Sequence, residues 1–247
     1  MSETKKSRGA GPRDKILFAS KNHRKLSLAT EDLCYLMERG YSESAALRVV
    51  GDHFQLQKRQ RLAILRSSSG VTERQERESR KVSDLQNATL DIDGFNLIIL
   101  LEAAYSGGLI LHGADNCLRD LSSVHGTYKL VQQTPDSIEK IGHYISNRGV
   151  TKVYWWLDSP ISNSGKLSKL ILSIAEKNQW NWFAETTPYV DKIVAQSENV
   201  VVSSDKVILQ RCQRWCNLGY EFVSNQISDA WFLKLPIKNN DAIKNYP

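Results

Sequence analysis

Apolar positions fall into two regimes along this chain. Between residues 26 and 66 they recur at helical spacing. Leu28, Leu33, Leu36 and Met37 make one stripe, and Gly40 suits the end of that helix. Ser42 is placed to cap a second helix, with Leu47, Val50 and Phe54 on its apolar face. A third helix, from about Gln55 to Arg66, has Leu56, Ala63, Ile64 and Leu65 apolar. Three short helices with tight turns predict a small all-α, helix-turn-helix-like domain over 13–66, behind a polar, disordered tail over 1–12.

Residues 67–85 read as a linker. The Ser67–Gly70 cluster breaks the pattern, and Thr72 to Lys81 is nearly all polar, with Glu73/Arg77 and Glu76/Arg80 as i,i+4 pairs on any helix formed there. Beyond it the pattern alternates. Strands are expected at 88–92, 109–111, 152–157, 180–184, 200–203 and 220–223. Helices are expected at 94–106, 135–146, 164–178, 190–196 and 207–218, with a turn or short helix at 115–121. Repeated β-α units of this spacing predict an α/β domain over 86–235: a mainly parallel sheet sandwiched by helices, followed by a tail over 236–247.

Composition adds little to the fold but something to the function. Apolar residues make up 41% and charged residues 24%, ordinary for a globular protein, and no apolar run approaches the roughly 18 residues of a membrane span. Without an apolar leader, a cytoplasmic protein with reduced cysteines is expected. Cys212 and Cys216 sit four apart, but no second pair of zinc ligands stands near them in sequence. The charge is uneven. Residues 1–80 hold 17 Lys+Arg against 10 Asp+Glu, whereas the remainder holds 16 against 17. The basic third helix, with Lys58, Arg59, Arg61 and Arg66, is therefore a candidate nucleic-acid-binding face; the alternative is a solvated helical surface.

Ligands of open parallel sheets bind beyond the carboxyl ends of the strands, so the residues there carry the chemistry. Asp91, Asp93 and Asn96 follow the first strand, and Asp158 follows the aromatic strand Val153–Leu157. Ser203, Ser204 and Asp205 follow the strand of valines, and Asp191 opens the helix before it. Carboxylates converging in one cleft repel each other unless a cation neutralises them, and hard oxygen donors suit Mg²⁺ or Mn²⁺. The competing expectation is that each aspartate only caps a helix.

Asp91-Ile-Asp-Gly-Phe-Asn96, Val190-Asp191-Lys-Ile-Val and Val200-Val-Val-Ser-Ser-Asp205-Lys-Val-Ile resemble the motifs of PIN-like nucleases, most closely their NYN branch. The similarity covers about residues 88–225. It implies a PIN/NYN-like fold, metal-binding and catalytic roles for Asp91, Asp191 and Asp205, and a supporting role for Asn96. Asp93 and Asp158 join the set on the strand-end argument, with Ser203 and Ser204 as candidate phosphate contacts. Two aspartates stand where the family pattern has one, which leaves open whether Asp91 or Asp93 faces the cleft. The whole chain also resembles an uncharacterised family, domain of unknown function 434.

The resulting expectation is a Mg²⁺- or Mn²⁺-dependent nuclease acting on nucleic acid, RNA in the first place. Its rivals are a non-catalytic nucleic-acid-binding or interaction module and a phosphatase-like hydrolase. Trp155, Trp156, Trp180 and Trp182 are expected in the core rather than as base-stacking platforms. Asp115–Asp120, with His112 and His125 nearby, is a candidate loop over the cleft. Ser164-Gly165-Lys166 lacks the earlier glycine of a phosphate loop.

Overall fold

The computed structural model describes residues 7–122 and 127–236; His125 and the tail from 237 lie outside them. The first part of the chain is helical: α1 (Asp14–Leu17), α2 (Ser20–Glu38), α3 (Glu43–His53), α4 (Lys58–Ser67) and α5 (Val71–Ser79). Then follow β1 (Thr89–Asp93), α6 (Gly94–Tyr105), β2 (Leu109–His112), β3 (Leu118–Asp120), α7 (Thr134–Asn147), β4 (Lys152–Asp158) and α8 (Ser164–Lys177). The chain continues through β5 (Trp182–Thr187), α9 (Val190–Ala195), β6 (Val200–Val202), α10 (Lys206–Arg211), α11 (Leu218–Gln226) and β7 (Trp231–Lys234).

The strands form two sheets. One is a parallel four-stranded sheet in the order β5-β4-β1-β6. From β1 the chain moves outward to β4 and β5, then returns to the other side of β1 as β6. That reversal opens a crevice at the carboxyl ends of the strands flanking β1. The second sheet, β3-β2-β7, pairs β2 antiparallel with β3 and parallel with β7. Helix α6 runs between the sheets. Its apolar residues, from Phe95 to Ala104, are buried almost all round, as a helix enclosed on every side requires.

Three apolar cores result. The largest joins Leu90, Ile92, Val153 and Trp155 of the parallel sheet to α6, α7, α8 and α11. A smaller one on the opposite face packs Val190 and Val194 of α9 and Ile208 and Leu209 of α10 against Val201. The third joins the N-terminal helices to the second sheet: Leu26, Leu33, Ala63 and Ile64 meet Leu109, Leu111, Leu121 and Leu233. Strand alternation explains this, since Ile110 faces α6 while Leu109 and Leu111 face the helical unit.

Several expectations change. The helices at 26–40, 42–54 and 55–66 are present as α2, α3 and α4, and Ser42 Oγ caps α3 by accepting from Ala45 N. The buried stripe of α2 is Leu26, Ala29, Thr30 and Leu33, however, and Leu28 points outward. The helical unit shares its core with β2 and β7, so it is not a free-standing domain.

The stretch 67–85 is not an open linker, because α5 occupies its middle. Arg77 of α5, only 3% exposed, donates to Asp115 Oδ2 at 3.2 Å. Residues 7–12 of the expected disordered tail are anchored. Arg8 pairs with buried Glu102 and lies 4.7 Å over the Tyr128 ring, and Gly11 N donates to Asp14 Oδ2 at 2.7 Å.

Residues 220–223 form part of α11 rather than a strand. Leu218, Phe222 and Val223 bury one helical face, so tertiary packing overrides the β-propensity of Tyr, Phe and Val. The helix expected over 207–218 stops at Arg211. Residues near Trp215 run extended beside Val201 and Lys81, which places Cys212 and Cys216 in different cores. Strand β3 forms within the segment expected to be a turn or short helix.

Candidate functional site

Strand β1 ends at Asp93, and α6 begins at the next residue. Gly94 makes this abrupt junction possible: a Cβ there would stand 2.6 Å from a Leu157 methyl and 3.0 Å from the Trp156 carbonyl oxygen. Asp93 caps α6, accepting from Asn96 N at 3.4 Å, and its second oxygen accepts from Ser203 Oγ at 2.9 Å. Asn96 reaches back to the β6–α10 turn, where its Oδ1 accepts from Ser204 N at 2.9 Å and Ser204 Oγ at 3.0 Å. Asp205 caps α10 through one oxygen, which accepts from Val207 N at 2.7 Å and Ile208 N at 3.1 Å. The ends of β1 and β6 are thus stitched together by Ser203, Ser204 and Asn96.

Asp93, Asn96, Ser204 and Asp205 line a cavity of about 530 Å³ at the carboxyl ends of the parallel strands. Asp93, Asp158, Asp191 and Asp205 all border it, each from a different element. They affect one another electrostatically. Burial, together with the charges of Asp205 and Asp158, pushes the Asp93 carboxyl up to about 7, although its hydrogen bond from Ser203 pulls the other way. Asp158 is raised by burial and by Asp191, and Asp191 by burial and by Asp205. The four acids therefore share one negative field. Among the described residues, no three His, Cys, Asp or Glu side chains stand close enough together to grip one ion directly.

The rest of the wall is mixed in charge. The helical unit contributes Glu43, Leu65 and Arg66; Arg119, Asp120 and Lys206 come from the α/β part. These cations are held by neighbours. Lys206 Nζ donates to the Leu65 carbonyl at 2.7 Å and to Glu43 at 3.4 Å, and burial lowers its pKa. Arg119 donates to both oxygens of Asp115, at 2.9 and 2.7 Å, and to the Ser204 carbonyl at 2.9 Å. The Arg119 and Arg77 charges hold Asp115 below its ordinary value despite burial. Asp115 and Arg119 thus brace the β6–α10 turn, and the 115–120 segment, expected as a loop over the cleft, brings Arg119 and Asp120 to the cavity wall while partly forming strand β3.

The structure separates the two candidate aspartates of β1. Asp93 lines the cavity and Asp91 does not. Asp91 is buried one pleat back, where it accepts from Trp156 Nε1 and Ser197 Oγ, both at 2.5 Å, and from Asn199 Nδ2 at 2.8 Å. Three donors hold it away from that cavity, so the expectation that Asp91 joins Asp191 and Asp205 in the cleft gives way to Asp93. Asp93, Asp158, Asp191, Asp205, Asn96, Ser203 and Ser204, all expected from sequence, come together at this end of the sheet.

The basic helix does not form the free cationic face expected of it. Arg59 is spent on Asp14 and on the Leu121 carbonyl, which it reaches at 3.1 Å; Arg61 is spent on Asp52 at 2.7 Å. Arg66 is bound to the Asp120 carbonyl and lines the cavity, which leaves Lys58 exposed to solvent. Glu43 and Lys206 line the cavity without any expectation from sequence, whereas Arg119 and Asp120 belong to the segment expected over the cleft. The short-range carboxylate–arginine spacing of Asp115 and Arg119 was the one available signal for that ion pair. Among the described residues, no helix is long and apolar enough to cross a membrane.

Comparison with other proteins divides the chain at the same point as the fold. Residues 82–221 match the domain of unknown function DUF5616, and residues 25–80 match the protein of unknown function DUF434. The resemblance to the latter family thus covers the helical unit and not the whole chain. The uncharacterized protein MJ0935 of Methanocaldococcus jannaschii is 32% identical over 187 residues, covering 72% of this chain and 89% of that protein. No solved structure matches the chain. With more than half of its length matched, the chain belongs to the DUF5616 family, carrying a DUF434 segment ahead of that domain.

Proposed function

We propose that the protein is a nuclease that hydrolyses phosphodiester bonds with a divalent cation, Mg²⁺ or Mn²⁺, and that its substrate is RNA. The observation that carries this reading is the meeting of Asp93, Asp158, Asp191 and Asp205, from four separate elements, on one cavity at the switch point of a parallel sheet. Burial, and after it the neighbouring carboxylates, raise the pKa values of Asp93, Asp158 and Asp191, and a divalent cation relieves that cost. The donors are hard oxygens, as Mg²⁺ and Mn²⁺ prefer.

An ion held here would keep several of its waters, as Mg²⁺ commonly does, because no three His, Cys, Asp or Glu side chains of the described residues stand close enough to enclose it. Asp93, Asp158, Asp191 and Asp205 would hold such an ion; Ser203 and Asn96 fix the Asp93 carboxyl and the β6–α10 turn. When bound, an ion of this class neutralises charge developing on phosphate and acidifies water. Arg66, on the facing wall, offers a positive charge to the substrate backbone.

A binding module on the same scaffold is the second reading. The observation favouring it is that no three of the acids close on one point. The deciding experiment is cleavage of an end-labelled single-stranded RNA by a nuclease-free preparation, with Mn²⁺, Mg²⁺ or EDTA. Cleavage that needs the cation and disappears in Asp205→Asn and Asp93→Asn supports a nuclease. Cation-independent cleavage, or cleavage equal in both variants, refutes the assignment. Metal-dependent binding without any cleavage would establish the module instead.

A further inference from the structure

The sheet face that carries Asp93 and Asp158 continues away from the cavity as an aromatic stripe. Along β4, residues 152, 154, 156 and 158 share this face. Tyr154 is in register with Phe183 of β5. Their rings stack with centroids 5.0 Å apart and planes 23° apart, and Tyr154 and Trp156 are 16° from parallel at 6.2 Å. Lys152 Nζ stands 5.8 Å from the centroids of both Tyr154 and Phe183. Helices α9 and α10 cover the β1–β6 part of this face, with Trp156 at the border of their core. Phe183 remains 41% exposed, and β5 is the last strand of its sheet.

We propose that Tyr154 and Phe183 form a stacking platform for the unpaired bases of a single-stranded nucleic acid running toward the acidic cavity. This rests on the nuclease reading and specifies its substrate as single-stranded. Nearly parallel rings at a sheet edge present a flat apolar face that a base can extend, whatever its sequence. Bases within a duplex are already stacked and offer no such face. Lys152 supplies a cation for the backbone at the far end. Asp158 lies four residues along β4, about 13 Å from Tyr154 at 3.3 Å per residue, so a strand seated on the rings leads into the cavity. Glu185, in register with Trp156, is an acid beside the stripe that does not line the cavity.

The test is fluorescence anisotropy with the full chain in EDTA, so that binding is measured without cleavage. The probes are a labelled 12-nucleotide single-stranded RNA and the blunt duplex of the same sequence. The single strand is expected to bind more tightly than the duplex, and Phe183→Ala and Tyr154→Leu to weaken it each by about tenfold, the effect of one lost stacked base. Leu172→Ala, at another exposed apolar position, is expected to leave binding unchanged. Equal binding by Phe183→Ala and wild type, or equal affinity for duplex and single strand, overturns the proposal. So does self-association of the chain that Phe183→Ala abolishes, which would make this face a protein interface. Because binding is read in EDTA, loss of the platform and loss of the nuclease reading are separate results. Cleavage retained by Phe183→Ala together with unchanged binding refutes the first alone.

Discussion

Asp93 couples the site to stability, and the coupling can be measured in the protein without any substrate. Burial and neighbouring acids raise its carboxyl from an ordinary 3.8 to about 7. The folded protein therefore holds a proton on Asp93 that the unfolded chain releases at lower pH. The stabilisation is fully present below about 3.8 and is lost as pH rises through about 7. At about 1.4 kcal/mol per pH unit, the interval from 3.8 to about 7 corresponds to at most about 4 kcal/mol. The raised values of Asp158 and Asp191 act in the same direction.

Replacing Asp93 by Asn removes the charge while keeping the size. The variant is expected to match wild type near pH 4.5 and to exceed it by roughly 2–4 kcal/mol at pH 8. Urea denaturation at half-unit steps from pH 4.5 to 8.5 measures this directly. Added Mn²⁺ should restore wild-type stability at pH 8 and do less for the variant. Parallel pH profiles for the two proteins, or a variant less stable at pH 8, would refute the claim that burial and neighbouring acids outweigh the hydrogen bonds to Asp93.

Three other outcomes follow from the same geometry. Asp91→Asn should keep cation-dependent cleavage but lose about 1–3 kcal/mol of stability, because the donors of Trp156, Ser197 and Asn199 lose their carboxylate; loss of cleavage in a well-folded Asp91→Asn would return that residue to the site. Arg59→Ala should cost about 3–5 kcal/mol by stranding fully buried Asp14, and an unchanged melting temperature would refute a structural role for that pair. A fragment covering 82–236 should be insoluble or non-cooperative when expressed alone. Leu109, Leu111, Leu121 and Leu233 would lose their cover, at roughly 1.5–3 kcal/mol each, against a typical domain stability of about 5–15 kcal/mol; a soluble fragment with a sharp melting transition would contradict this.

What could be read in the sequence follows from the range of the forces involved. Periodicity located α2, α3, α4, α6, α7 and α8, because each buries one stripe or all of its surface. The strand-end rule placed Asp158, Asp191, Asp205, Asn96 and the two serines, because it depends only on local order. Asp91 and Asp93 were indistinguishable in sequence, as they share one face of β1. The choice between them was made by Trp156, Ser197 and Asn199, two of which lie more than 100 positions away. The fate of the basic helix was equally hidden. Arg59 and Arg66 look like a phosphate-binding face until their partners Asp14 and Asp120 are known, and those pairings are 45 and 54 residues long-range.

The same long-range contacts explain why the two family segments occur together. The cavity has acids on one wall and Glu43, Leu65 and Arg66 on the other, so neither segment encloses it alone. Lys206, one residue past Asp205, is anchored on the Leu65 carbonyl and on Glu43 of the helical unit. Arg77 of α5 grips Asp115, which in turn holds Arg119 against the Ser204 carbonyl. A displacement of the helical unit is therefore transmitted to the turn that positions Asp205 by two independent routes. The helical segment is better understood as one wall of the site than as a separate binding domain attached to it: Arg59 and Arg77 are consumed in holding that wall in place, while Arg66, bound to the Asp120 carbonyl, also faces the cavity.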